Sequence, residues 1–427
     1  MKTKPRWVVT ALAYLWVTAS LPAQPAAPAP QKHALALPVN LAPPAGQPAP
    51  AMECLVTFGP TVPISALAFS PDGKLLAVGG YQEVLLWDLP NAKLAKRIGG
   101  GQVGSFVHAL AFGKDGRSLV VAEGTPHASG AVRVFDLETG QPTLSFQEPK
   151  DVVYAVALSP DGKLLAAGGV DAAVRIWNIE EKKLLTAIKD HGDWVLGVSF
   201  SPDGKFLATA SADSTAQVWE VGSWKSVKKM QQTDAVHGVA FNADGTLLAL
   251  AVGGPADRAI RVRRQSDTAE ISAMGLGLTL PLDVVWAPKG NKLYVPCNDN
   301  TLKVYNGANG ALLASLTGHG DWVYCVAVNP DEGKFASGSG DGTVKLWNAA
   351  DNRLLATLIQ LTPRTDEWLI ITAQGYFATS SANALQWKTT NVSVPSEQLT
   401  SLYQNPAAVQ KSIAGENVAP PQGMVVK

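Results

Sequence analysis

The sequence predicts an all-β fold: a closed ring of four-stranded antiparallel units. Three observations carry that expectation. The string SPDGK recurs at residues 70–74, 159–163 and 201–205, with degenerate copies at 113–117, 242–246, 287–291 and 329–333. Each copy lies between two runs of alternating apolar residues, such as SALAF before and KLLAVGG after. A third run then ends in an aromatic at a fixed offset: Trp87, Phe135, Trp177, Trp219, Tyr305 and Trp347, with Arg263 in that place in the fifth copy. The spacings of these seven positions are 48, 42, 42, 44, 42 and 42.

Within a unit, alternation with period two marks strands with one face more buried than the other. The DG dipeptide between two such runs is a hairpin turn, because Gly tolerates positive φ. A fourth run closes each unit: LAKRI, PTLSF, LLTAI, SVKKM, EISAM, LLASL and LLATL. One four-stranded meander cannot bury both faces. Units that cover one another around an axis can, and this is the β-propeller solution to exposed sheet edges. A four-strand period near 42 residues favours a closed ring over an open solenoid.

Along the chain, residues 1–23 read as an export segment. Lys2, Lys4 and Arg6 precede a 13-residue apolar run at 7–19, and small residues follow, with cleavage expected after Ala19 or Ala23. Such a run is short for a membrane span and fits a secretory signal; an uncleaved anchor is the alternative. Residues 24–52 form a linker; 17 of the 28 residues at 24–51 are Pro or Ala, which predicts a semi-extended spacer. Residues 53–360 are the repeat array, 361–390 a degenerate blade or a tail on the rim, and 391–427 a short helical segment with a loose end.

Composition narrows function. The 427 residues are 46% apolar and 16% charged, which excludes a disordered chain. Lys+Arg and Asp+Glu are both 35, so the chain carries no overall basic footprint for nucleic acid. Cys54, Cys297 and Cys325 make neither a disulfide framework nor a CxxC site.

At these residues the sequence resembles the WD-repeat β-propeller family, of a secreted or periplasmic bacterial type. The fourth and seventh copies lie nearest its pattern. Both carry His-Gly-Asp-Trp, at 191–194 and 319–322, with Ser and Asp ahead of the terminal Trp. The resemblance implies two buried hydrogen-bonded chains, His191, Ser211, Asp213 and Trp219, and His319, Ser339, Asp341 and Trp347. Asp171 and Asp299 keep the acid without the His, and the first and second copies lack the set, so packing should hold those blades. The WLxxTxxGYFxxS string at 368–380 is similar to a tail that follows WD repeats in bacterial proteins.

Two closures fit the chain ends. The LVTF run at 55–58 could join three short runs at 366–389, turned at Gln374-Gly375, as an eighth blade; or seven blades close and the tail packs outside.

No motif points to catalysis. Gly99 to Gly104 matches GxGxxG but lies between strands, where a dinucleotide site needs a strand and then a helix, so it reads as a flexible interblade loop. Ser337 to Gly342 belongs to the repeat pattern. No His makes a metal spacing, and no Ser or Cys stands beside a base in a nucleophile motif. Neither metal nor cofactor is expected, and the Asp of SPDG is explained by turn chemistry.

In the family, partners bind the narrow end of the ring, at and just before each first strand. Carried over, that implies Phe106, His108, Val152, Tyr154, Trp194, Leu196, His237, Trp322 and Tyr324 as a rim for a protein or peptide; the bland reading packs Trp194 and Trp322 between blades. The expected function is a non-catalytic exported scaffold, monomeric and off the membrane once cleaved. The alternatives are a carbohydrate or cell-wall binding module and a lactonase- or quinoprotein-like enzyme, for which His108 and His237 in the channel are the hint.

Overall fold

The computed structural model describes residues 32–33, 52–59, 61–147, 149, 151–381, 385–389 and 396–419. The expected export segment, most of the linker and the last eight residues lie outside these. Seven four-stranded antiparallel blades form one ring. Blade one comprises Ala66–Phe69, Leu75–Gly79, Val84–Asp88 and Lys93–Ile98. The innermost strands of blades two to seven are Phe106–Phe112, Val153–Leu158, Val195–Phe200, Val236–Phe241, Val285–Trp286 and Val323–Val328. Each innermost strand touches the next, and the seventh returns to the first.

The period-two pattern explains where the core lies. A strand buried between two neighbouring blades presents apolar residues to both, and one apolar cluster fills each of the seven interfaces. Between blades three and four, for example, Ala166, Val174, Ile176 and Ile188 meet Val195, Phe200, Leu207 and Trp219. The cluster that joins blade seven to blade one includes Ala336, Val344 and Leu346 on one side and Leu76, Val78, Leu85 and Trp87 on the other. The SPDG turns form as their residues dictate. Ser70 Oγ donates to Asp72 Oδ1 at 2.6 Å, the same carboxylate oxygen accepts Lys74 N–H at 3.1 Å, and Gly73 takes φ 69°. The Gly99–Gly104 segment is an ordered turn. Val103 N–H donates to Gly99 O at 2.8 Å, and a Cβ on Gly99 (φ 84°) would lie 2.4 Å from the Val103 side chain.

The chain ends do not build an eighth blade. Trp368–Ile371 and Phe377–Thr379 extend the outer edge of blade seven beyond Leu354–Gln360, making a six-stranded sheet. The third tail strand, Leu385–Thr389, pairs instead with Met52–Thr57, Val56 opposite Leu385. The two ends therefore do meet, but in a small separate sheet outside the ring. The reason is steric: blade seven already supplies all four of its strands, and seven filled interfaces leave no gap for another. Val56, Phe58, Ile359, Leu361, Leu369, Phe377, Leu385 and Tyr403 fill the space between that sheet and the extended blade.

Two helices follow, α1 (Ser396–Tyr403) and α2 (Pro406–Ile413). Pro406 begins α2 where its missing N–H costs nothing, and Asn405 Oδ1 caps Ala408 N–H at 3.0 Å. Ala408, Val409 and Ile413 bury against blade seven, and Ser412 Oγ donates to Leu355 O at 2.7 Å. None of the described helices is long and apolar enough to cross a membrane.

Candidate functional site

In every blade the residue five places before the start of the SPDG-like turn, in the first strand or just ahead of it, lines the mouth of the ring. Read around the ring, this column is Ser65, His108, Tyr154, Leu196, His237, Leu282 and Tyr324. With Trp194, Asp283 and Cys325 these residues line a channel mouth of about 140 Å³. Six of the nine rim residues expected from the sequence thus converge: His108, Tyr154, Trp194, Leu196, His237 and Tyr324. Phe106, Val152 and Trp322 lie outside the lining. Phe106 packs on Tyr81 with ring centres 4.7 Å apart, and Trp322 on Tyr324 at 6.2 Å. An aromatic arc runs over blades two to four, with His108 to Tyr154 at 5.3 Å and Tyr154 to Trp194 at 5.8 Å. Val152 is fully buried and is no part of an accessible rim.

Asp283 stands apart in this mouth. It occupies a column that elsewhere reads Ala66, Ala109, Ala155, Gly197, Gly238 and Cys325. Its neighbour Gly238 makes the room: a Cβ there would lie 2.3 Å from Asp283 Oδ1. The carboxylate accepts a single hydrogen bond, from Val284 N–H at 2.8 Å. Burial pushes its carboxyl up to about 6 against that bond. Burial likewise pushes His108 down to about 4 and lowers His237, so both imidazoles are neutral at pH 7. Tyr324 is pushed up to about 12, and Tyr154 and the Cys325 thiol are also raised by burial. At pH 7 the described lining therefore carries one formal charge, on Asp283. Among the described residues no group of three or more His, Cys, Asp or Glu is placed to hold a metal ion.

Beneath the mouth, blades four and seven hold the buried polar chains. In blade four Trp219 Nε1–H donates to Thr209 Oγ1 at 3.0 Å, and Thr209 Oγ1 lies 2.7 Å from His191 Nε2. His191 Nδ1 lies 2.9 Å from Asp213 Oδ2, which also accepts Gly192 N–H at 2.9 Å. Blade seven repeats this with Trp347, Ser337, His319 and Asp341 at 2.9, 2.8 and 3.0 Å. The bonding sense is self-consistent with a neutral imidazole: indole to hydroxyl, hydroxyl to Nε2, Nδ1–H to carboxylate. Residues 52–88, 140–178, 182–220 and 310–348 match the family described as WD domain, G-beta repeat, and the last two spans hold these chains. The chain is a seven-bladed β-propeller that carries WD repeats in these four stretches.

Relatives of this WD-repeat propeller align over single stretches. A WD repeat-containing protein SL1-17 from Schistosoma mansoni is 38% identical over 107 residues, 25% of this chain and 33% of that protein. The Intraflagellar transport protein 122 homolog of Danio rerio is 46% identical over 57 residues, 13% of this chain and 5% of its own length. Small ribosomal subunit protein RACK1y of Oryza sativa subsp. japonica is 32% identical over 119 residues, 25% of this chain and 32% of that protein. The chain thus spans a third or less of the length of these relatives.

In the propeller, Ser211 and Ser339 take a place different from the one expected. Ser211 Oγ donates to Asp193 O at 2.9 Å and accepts Asp213 N–H at 3.1 Å; Ser339 does the same with Asp321 and Asp341. They brace the turn, and the hydroxyls inside the chains are Thr209 and Ser337. The two hydroxyls share a face of the strand, and position along it decides: Trp219, paired opposite Leu207, reaches the diagonal Thr209, while Ser211 at the strand's end reaches only the turn. Blades without the His are held by more than packing. Asp171 pairs with Arg175 at 2.5 Å, Asp257 with Arg261 at 2.6 Å and Asp299 with Lys303 at 2.7 Å, each cation four residues on. Buried Glu83 and Glu123 meet Arg97 and Arg133 in blades one and two. Cys297 and Cys325 are free and buried, their thiols donating to Val295 O and Ile64 O.

Sequence reasoning missed Ser65, Leu282, Asp283 and Cys325 at the mouth. The signal was present, because the repeat alignment puts Ser65 and Leu282 in the lining column and shows Asp283 as an acid among small residues.

Proposed function

We propose that this propeller is a non-catalytic interaction scaffold that binds a protein or peptide at its channel mouth and the adjoining rim. The observation that carries the reading is the arc of His108, Tyr154 and Trp194 in the mouth, with Tyr324 in the same lining and Trp322 packed on Tyr324 beside it. Such rings bury much area with few rotors to freeze, which is how interface anchors gain affinity. Two relatives are named for larger assemblies, a small ribosomal subunit and intraflagellar transport, and that supports a role in assembly. Export to a periplasm or to the outside, and a bacterial source, are supported by the cationic start, the apolar run at 7–19 and the tail string at 368–380. The test is a crosslinked pull-down from the envelope fraction with wild type, Trp194→Ala and Trp322→Ala. Loss of the same partner from both folded variants is expected; retention of every partner would remove the rim from consideration.

A further inference from the structure

The mouth is rich in acceptors and poor in positive charge. Asp283 is charged and half-buried, and among the described residues it accepts one hydrogen bond, from its own following amide. His237 is 4% exposed, and its Nδ1 lies 2.8 Å from Pro281 O. A carbonyl only accepts, so that bond fixes the proton on Nδ1 and leaves Nε2 as an acceptor, and Nε2 has no partner. Among the described residues the lining thus holds one buried acceptor without a partner, His237 Nε2, and a half-buried carboxylate with no cation paired to it. Its other polar groups are already engaged in part: Ser65 Oγ donates to Val107 O and the Cys325 thiol to Ile64 O.

The approach carries the same sign. Asp151, Asp193, Asp234 and Asp321 stand three residues ahead of Tyr154, Leu196, His237 and Tyr324, at the entry to four consecutive or facing innermost strands. Their oxygens bind backbone amides, those of Val152, Trp194, Asp257 and Trp322, which fixes the carboxylates without neutralising them. Tyr154, Trp194 and Tyr324 line the same mouth as Asp283, and aromatic rings attract a cation and accept an alkyl stem.

We propose that the mouth receives one cationic side chain, lysine or arginine, of a protein partner, with Asp283 as its counter-charge and His237 Nε2 as a second acceptor. This rests on the scaffold reading above and names the chemistry of its ligand. A neutral donor could bond both acceptors but would leave the Asp283 charge unopposed, and an acidic segment would be repelled, so the site discriminates by charge.

The test is calorimetric titration of the purified full chain, at about 0.1 M salt, with three tripeptides: acetyl-Gly-Arg-Gly-amide, its lysine counterpart and its citrulline counterpart. Citrulline keeps the shape of arginine and removes the charge. Saturable binding of the arginine or lysine peptide is expected, at least tenfold tighter than the citrulline peptide, and Asp283→Asn should erase that discrimination. Asp299→Asn, in the blade-six ion pair, should leave it unchanged. Equal binding of charged and neutral peptides by wild type overturns the proposal without recourse to any variant, as does discrimination that survives Asp283→Asn. Ethylguanidinium binding as tightly as the peptide would overturn the assignment to a protein side chain. If Trp194→Ala and Trp322→Ala lose a partner while the peptides show no charge preference, the scaffold reading stands and this inference falls. If the peptides discriminate while both variants keep every partner, the reverse holds.

Discussion

Thr209 shows how much one hydroxyl holds together. It accepts the indole N–H of Trp219 and supplies the proton that satisfies His191 Nε2. Thr209→Val keeps the shape and strands both groups, so unfolding in denaturant should show a loss of about 1–3 kcal/mol, while Thr209→Ser restores most of it. An unchanged midpoint in the valine variant would mean that the chain contributes nothing. Blade three offers the natural contrast: Ala167 takes the equivalent place, and the indole of Trp177 has no partner but stacks on Phe146 at 4.9 Å. Two carboxyls carry opposite pH signatures. Asp283, raised to about 6, holds its proton more tightly folded than unfolded, so its contribution is best in acid and worsens as pH rises from the ordinary carboxylate range to about 6. Asp283→Asn should therefore raise the melting temperature at pH 7 and leave it unchanged at pH 4; an equal shift at both would refute the assignment. Burial alone would raise Asp341, but its bonds from His319, Gly320 N–H and Thr343 outweigh it and hold it at about 2. Its contribution is present at neutral pH and is lost as pH falls towards 2. Asp341→Asn should be destabilised at pH 7, with the deficit closing in acid.

At the scale of elements, the tail is part of the seventh blade. Its first two strands extend that sheet, and α2 lies over it with Ile413 2% exposed. Truncating a core isoleucine to alanine removes its transfer energy and leaves a void. Ile413→Ala should lower global stability by about 2–5 kcal/mol within a single cooperative transition, measured by denaturant unfolding followed by tryptophan fluorescence and circular dichroism. A variant with wild-type midpoint would show that the helix is an appendage. The sequence predicts a helical break before Pro406, and the break is there, because proline suits a first helical turn and no later one. It does not say where the helices dock. That depends on the face blade seven leaves uncovered.

Across the whole molecule, closure is the open question that the ends answer. Many-stranded rings can close by sharing a sheet between the termini; here each blade is built from one continuous stretch of chain. The ring joins through packing and a few bonds between blades one and seven. Ile64 N–H donates to Ser339 O at 3.0 Å, and Asn329 Nδ2 donates to Gly73 O at 3.0 Å. Buried Glu83 accepts from Gln360 and Arg364, both at 2.9 Å, and Trp368 of the tail lies edge-on to Trp87 at 6.2 Å. The sheet of Met52–Thr57 with Leu385–Thr389 clasps the same seam from outside, with Gly59 N–H donating to Leu361 O at 2.7 Å. Val56→Asp should loosen the clasp. The expected readouts are a lower denaturant midpoint, faster proteolysis near 361–367 and unchanged hydrogen exchange in blades three to five. Equal loss of protection around the whole ring would instead mean that the seam has no separate stability.

The sequence by itself determined the strands, their meander order, the number of repeats and five of the seven residues in the column that lines the mouth. Each of these follows from local chemistry repeated at a fixed period: alternation, a turn signal, an aromatic at one offset. The tertiary structure decided what no single repeat encodes. It put Thr209 and Ser337 rather than Ser211 and Ser339 inside the buried chains, because a strand's register against its neighbour sets which hydroxyl reaches an indole. It sent the tail to the outside of blade seven, because seven filled interfaces exclude an eighth blade. It also turned Asp283, one acid in a column of small residues, into a half-buried charge at the mouth. Burial comes from the glycine of the adjacent blade and from the closing of the ring, both of which are contacts between residues far apart along the chain.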